Sequence, residues 1–566
     1  MYRSSRSKWI SIVLTIVLTT VTLALPPDLD QAFGADAPDT PYDIQLQGQI
    51  LNVQGYLLDH EPYLPVSLIG SGLNNDAITV DQTNRTLRID LSRLNLVMAD
   101  ESTASFIRTY GGTATIPLRT IGGILCFPLN ETEQFFHVTA SVSGSTIRIR
   151  SFSSTAKVAK VSEPQLIATP SLSNETQTPL TLFQGDAVYV LGTTDHYYLV
   201  ETIDGSQVYV KKEGITISEI DLGQVDFYAP RKKKYDPDGR ISVAWQYFSS
   251  KSAVSHPTEK YAGLDILAPT WFDLIVNGDG SVSNHAEKGY TDAAHQLGYQ
   301  VWATVTNSMS TTGSTAFTTA VFNNDAMLNR SVAQYLFYAC LYDVDGINID
   351  YEDVKDSDAA GLTAFTALMR YYTERQGLTL SIDTLIPRTW TIEYDRDQLA
   401  KYVDYLAVMT YDQHYSSSPV AGSVAALPWV EEAIQNTLKE VPASQVLVGI
   451  PLYTRVWTTD ANNKLLSNST ATMTRVRDLL SLNQHTPVWR DTEKQYYAEY
   501  PNGSNLTKIW IEDQRSISER LDLVQRYQLA GSASWQLNQG VPEIWEVYDQ
   551  MLHQGAGKEM FQLPYR

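Results

Sequence analysis

Between two apolar flanks the chain reads Asp345-Gly346-Ile347-Asn348-Ile349-Asp350-Tyr351-Glu352. In a β-strand successive side chains alternate faces, so Asn348, Asp350 and Glu352 share one side and Ile347, Ile349 and Tyr351 the other. A row of polar groups is costly to bury unless it has partners, and this row ends on a carboxylate, a group able to give or take a proton. If the strand belongs to a barrel, the polar row looks inward and ends at the C-terminal mouth, where barrel enzymes keep their sites. A solvated edge strand would not carry such apolar flanks. A calcium loop ending at Gly346 would need an oxygen ligand where Leu341 stands.

The elements that must position this strand are legible as a series. Apolar strand-like runs recur between helix-length segments: ISVAWQYF, LDILAPTWF, YQVWATVT, VDGINIDYE, LTLSIDTLI, YLAVMTYD, VLVGIPLY and GSASWQL. Such a βα series over residues 241–553 predicts a TIM barrel, the C-terminal (β/α)8 part of a multidomain chain. All but one of the 11 tryptophans lie in it, the exception being Trp9. Large aromatics at strand ends suit stacking on sugar rings, although most of any such set fills a core.

Taken together, the run resembles the fourth-strand signature DGxDxDxE of glycoside hydrolase family 18, the chitinase-like enzymes. The resemblance implies that Glu352 is the general acid that protonates the leaving glycosidic oxygen. Asp350 then orients and supports the substrate's 2-acetamido group, whose oxygen serves as internal nucleophile in a retaining reaction. The middle Asp of the signature is Asn348 here. An amide can hydrogen-bond Asp350 but not share a proton with it, so Asp350 is expected to stay ionised more easily. The form NIDxE resembles a bacterial wall- and spore-associated subgroup. VMTYDQH matches the family's Met-x-Tyr-Asp motif, which places Tyr411 near the acetamido group, with Met409 and Asp412 in the floor of the site. Trp535 ends the eighth run, where the family keeps a tryptophan under the sugar. Asp345 completes the expected substrate-binding set with Asn348. Trp245 and Tyr247, and more weakly Trp271, either line the cleft or fill the barrel. Glu512 and Asp513 either reach the cleft or form surface charge.

Three further regions and a linker precede the barrel. Arg3, Arg6 and Lys8 followed by the uncharged stretch Trp9 to Leu25 and the small residues of AFGADA read as a secretory signal over residues 1–34, cleaved or kept as an anchor. Residues 41–152 carry an internal echo, LPVSLIGSGL and IPLRTIGGIL, each followed by a strand-like stretch, TLRID and TIRIR. They resemble the N-terminal domain of copper amine oxidases, a small α+β repeat domain taken as a spacer or wall-contact module, with no copper chemistry implied. Residues 157–217 contain β-rich stretches resembling a small bacterial SH3-like barrel, in which Tyr189, Tyr197, Tyr198 and Tyr209 either face a glycan or fill the core. Residues 229–240, APRKKKYDPDGR, read as a linker.

Composition narrows the function. Lys and Arg total 42 against 63 Asp and Glu, a formal charge of −21 that opposes nucleic-acid binding. Two cysteines far apart and scattered histidines offer no disulfide framework or zinc motif. The expected protein is secreted, extracellular or wall-associated, without stable membrane insertion once the signal is cleaved. It needs no cofactor and no metal, and hydrolyses β-1,4-linked N-acetylglucosamine polysaccharide. Peptidoglycan is favoured over chitin, since residues 41–240 hold no tryptophan of the kind chitin-binding modules use. The other reading is a lectin-like wall protein on the same barrel.

Overall fold

The computed structural model describes residues 40–565 other than 59–60, 99, 152–154, 173–177, 203–205, 222–224, 228–236, 238 and 563–564. The signal segment and most of the 229–240 linker therefore lie outside the described residues.

Eight parallel strands form the C-terminal part: β1 (Ile241–Gln246), β2 (Ile266–Leu274), β3 (Gln300–Thr306), β4 (Gly346–Asp350), β5 (Thr379–Leu385), β6 (Tyr405–Met409), β7 (Val446–Pro451) and β8 (Gly531–Trp535). Each pairs with the next and β8 pairs with β1, so the sheet closes into a barrel and leaves no free edge among these strands. Seven of them fall inside a run read from the sequence, and β2 overruns its run by Asp273 and Leu274. β4 shows why the alternation had to be obeyed. Ile347, Ile349 and Tyr351 are buried in the large apolar cluster, where Tyr351 stacks on Phe365 with ring centroids 4.9 Å apart. Asn348 points into the barrel instead, against side chains of β1, β3 and β5.

Helices Asp325–Leu341 and Ala359–Gln376 flank β4 in sequence and cover its outer face. The first is started by Asn324, whose side chain accepts from the Ala326 and Met327 amides. After β7 the chain inserts a five-stranded antiparallel sheet running from Tyr453 to Ile511, with helix Met473–Leu482 inside it. Glu512 and Asp513 follow it. Neither reaches the cleft, and neither is surface charge. Glu512 is buried against Arg520, 2.8 Å away, while Asp513 caps helix Gln514–Arg526 through the Ser516 amide.

The region 41–152 builds a seven-stranded sheet and a three-stranded sheet around helix Glu101–Tyr110. Along it, strand Glu61–Pro65 is followed by the hairpin 78–90, and strand Ile124–Pro128 by the hairpin 138–151. The TLRID and TIRIR stretches form strands, as expected, and each is the second strand of a hairpin. IPLRTIGGIL, however, spans a strand end and a tight hairpin, so its likeness to LPVSLIGSGL is one of letters and not of structure. The next region is a five-stranded antiparallel sheet whose core is Val161, Val188, Val200, Val208 and Val210 with Leu166 and Leu182. Its four tyrosines are half-buried, and Tyr198 packs against that core.

The 41–152 unit shares a continuous apolar core with the barrel. Phe106 stacks on Tyr372 at 4.3 Å between centroids, and the Tyr338 hydroxyl accepts from the Thr115 amide at 2.8 Å. Around this core sits a buried ionic cluster. Lys251 Nζ lies 2.6 and 2.7 Å from the two Glu131 oxygens, Arg119 donates to Glu287 at 2.6 Å, and Glu61 is buried beside them. Burial and the neighbouring Glu131 push the Glu61 carboxyl well above its ordinary range. Removing one partner of such a pair strands a buried charge. Lys251→Met is therefore expected to cost about 3–5 kcal/mol of stability, and Lys251→Met/Glu131→Leu to recover most of it. Urea unfolding of both variants checks this; equal losses in the two would show that the pair does not couple.

Candidate active site

A cleft of about 670 Å³ opens at the C-terminal ends of the barrel strands. Trp245, Tyr247, Asp350, Glu352, Met409, Tyr411, Asp412 and Trp535 all line it. These residues come from β1, β4, β6 and β8 or the turns just after them, so closing the barrel brings together side chains nearly 300 positions apart in sequence. Trp245 and Trp535 meet at 6.1 Å between ring centroids, inclined at 55°. Tyr247 is exposed at the rim.

Glu352 follows β4, and its backbone is clamped from β3's side. Its amide donates to Asn307 Oδ1 at 3.1 Å, and the Asn307 side-chain amide donates back to the Glu352 carbonyl at 2.6 Å. The Tyr394 hydroxyl donates to the Tyr351 carbonyl at 2.9 Å. Such bonds fix where the carboxyl stands before any substrate arrives. Burial, with Asp353 and Asp412 nearby, raises the Glu352 carboxyl to about 7. A carboxylic acid that keeps its proton near neutral pH can protonate a leaving oxygen.

Asp350 is buried, and its Oδ1 has no hydrogen-bond partner. Burial first, then Glu352, Asp383 and Asp273, push it well above the usual carboxylate range. This corrects the expectation that Asn348 would bond to Asp350 and keep it ionised. The Asn348 amide is fully used elsewhere. Its Oδ1 accepts from Trp245 Nε1 at 2.9 Å and from Thr304 Oγ1 at 3.1 Å, while its Nδ2 donates to Ser381 Oγ at 3.0 Å and to Asp383 Oδ1 at 2.9 Å. Asn348 thus lies in the barrel interior beneath the cleft and holds residues that line it.

Asp345 is not brought to the cleft either. It precedes β4 at the other end of the strand, where its carboxylate accepts from the Val301 amide at 2.8 Å and faces His295 Nε2 at 2.8 Å. There it ties β3 to helix Lys288–Gln296. Trp271 is fully buried against Tyr290 and Tyr342, on the side away from the cleft.

Other lining residues were not read from the sequence: Asp273 at the end of β2, Asp383 on β5, and Tyr453 after β7. A signal was present for Asp383, an isolated acidic residue in an otherwise apolar strand run, whereas Asp273 falls just past the end of its run. The Tyr453 hydroxyl donates to Asp412 Oδ1 at 2.5 Å. Burial holds the Tyr411 phenol well above its ordinary range, so it stays a proton-bearing donor. A cleft with Asp273, Asp350, Glu352, Asp383 and Asp412 around it and tryptophan on its wall suits a sugar that gains positive charge as it reacts. Among the described residues no group of His, Cys, Asp and Glu is arranged to hold a metal ion.

A closed parallel barrel with carboxyl groups and aromatic side chains at its C-terminal mouth is an architecture that suits a glycoside hydrolase. Residues 280–540 match the family described as Glycosyl hydrolases family 18, so the chain carries a family 18 glycoside hydrolase domain. Relatives in Bacillus subtilis (strain 168) include an uncharacterized glycosylase, 24% identical over 237 residues, covering 40% of this chain and 67% of that protein. A cortical fragment-lytic enzyme of the same organism is 24% identical over 233 residues, covering 40% of this chain and 54% of its own length. The crystal structure of the Bacillus megaterium spore cortex-lytic enzyme SleL shares the fold, with a TM-score of 0.50 at 18% identity, over 61% of this chain and 76% of that one. The chain thus spans between about half and two thirds of the length of these curated relatives.

The pH dependence follows from the acid. An acid at Glu352 would act only when protonated, and its value is raised, so kcat/KM for hydrolysis is expected to hold up to about pH 7 and fall tenfold per unit above it. A pH–rate profile checks this; a basic limb near the ordinary glutamate value of about 4.3 would show that the acid's proton is not held to neutral pH.

Proposed function

We propose that the protein is a secreted glycosidase that cleaves β-1,4-linked N-acetylglucosamine glycans, with peptidoglycan as the favoured polymer. The observation that carries this reading is the pairing of a proton-bearing Glu352 with a buried Asp350 in one cleft. Glu352 protonates the glycosidic oxygen. The substrate's own acetamido oxygen attacks the anomeric carbon as that bond breaks, giving an oxazolinium ion that Asp350 supports. Water, deprotonated by Glu352, then opens the ion with net retention. The nucleophile is already tethered to the sugar, so the enzyme need only orient it and stabilise charge.

Peptidoglycan is favoured because relatives are named for lysis of cortical fragments and spore cortex. We read the two N-terminal regions as an amine-oxidase-type repeat unit and an SH3-like unit that bring the barrel to the wall. No described helix is long and apolar enough to cross a membrane. The test is mass spectrometry of products after incubation with purified peptidoglycan and with N-acetylglucosamine oligomers. Reducing N-acetylglucosamine ends from peptidoglycan support the reading, ends from chitin-type oligomers alone move the substrate to chitin, and binding without products makes it a lectin.

A further inference from the structure

The four hydrogen bonds of Asn348 leave Asp350 without a partner on its own strand and direct attention to β5. β4 and β5 run parallel, with Asn348 level with Ser381 and Ile349 level with Ile382. One step on, Asp350 and Asp383 stand side by side on adjacent strands, which lie about 4.8 Å apart. Both are buried and both line the cleft. Two carboxylates so placed, in a low dielectric and with no cation among the described residues in contact with either, do not both ionise.

We propose that Asp383 is a positioning residue for the reaction proposed above: Asp350 and Asp383 hold one proton between them, and Asn348 is the amide that fixes Asp383. The inference rests on the glycosidase reading and assigns the proton-sharing partner to the neighbouring strand. Asp383 is the member equipped for charge, since it accepts from Asn348 Nδ2 and faces the Trp245 indole N–H. Asp350, with an unpartnered oxygen, is the member equipped to carry the proton at rest. As the acetamido group becomes an oxazolinium ion, the proton passes from Asp350 to Asp383. Asp350 then bears the negative charge beside the cationic ring, and the pair keeps a single negative charge throughout. The proton returns when water opens the ring. The charged and titratable groups facing the pair are Glu352 on the same side of β4, Asp273 from β2, Tyr411 after β6 and Tyr394 from the loop after β5.

A carboxylate at 348 in place of 383 would restore a pair on the same strand, which makes the exchange testable. With N-acetylglucosamine tetramer as substrate, Asp383→Asn should lower kcat about 100-fold with KM within about threefold, and alter the acidic limb of the pH profile. Asn348→Asp/Asp383→Asn should regain at least about tenfold over Asp383→Asn. A loss confined to KM, or no recovery in a double variant whose melting matches the parent, overturns the proposal. An infrared measurement independent of turnover covers the case of a variant that does not fold. Glu352→Gln protein at pH 7 should show a protonated-carboxyl band absent from Glu352→Gln/Asp350→Asn, and an unchanged band overturns the shared proton. If the parent cleaves neither oligomer nor peptidoglycan, the glycosidase reading fails while the infrared result still judges the pair.

Discussion

Glu352→Gln should leave a folded protein that still binds N-acetylglucosamine oligomers and hydrolyses them about 10²–10⁴-fold more slowly. The amide has nearly the shape of the acid and keeps the backbone clamp to Asn307, which depends on residue 352's main chain alone. What disappears is the proton donor. The loss should depend on the leaving group: an aryl glycoside whose phenolate departs without protonation should lose far less than the natural oligomer. Comparing the two substrates by initial rates, with binding followed by calorimetry, separates an acid from a general structural part. Equal losses on both substrates, or an unchanged rate on either, would remove Glu352 from the acid's role.

How far the sequence could foresee this site depends on whether each fact is local. The inward row of Asn348, Asp350 and Glu352 follows from strand alternation alone, and β4 obeys it. The same alternation puts Asp345 in step with Ile347 and Ile349. Grouping it with the substrate residues rested on motif resemblance, whereas the structure gives it to His295 and the Val301 amide at the far end of the strand. What Asn348 bonds to was beyond local reading, because it is set by the register of β4 against β5 and by the indole of Trp245, 103 positions away. Asp273 and Asp383 belong to the same category: the first falls just past its run, the second stands alone in its own, and only barrel closure reveals a shared cleft. The 41–152 unit shows the other side. Its strands TLRID and TIRIR were legible, but its ionic contact with Lys251 and Glu287 involves pairs more than a hundred residues apart, and no spacing rule reaches that far.

Asp350→Asn should lower kcat on the natural oligomer by about 10²–10³-fold with little change in KM, since the lost interaction belongs to the transition state. Unlike the acid variant, it should show the same loss on the aryl glycoside, because a better leaving group does nothing for a charge that forms on the acetamido side. The direction of the Asp350 shift makes this a demanding test. Burial and three neighbouring carboxyls keep its proton on at rest, so its value to the reaction lies in becoming anionic when the ring turns cationic. Asn cannot make that change, although it fills the same space and can still hydrogen-bond the acetamido group. A substrate analogue without the N-acetyl group should be inert to the parent and the variant alike. If Asp350→Asn instead raised KM and spared kcat, the residue would be holding the sugar equally in ground and transition states, and hydrolysis would have to proceed without acetamido participation.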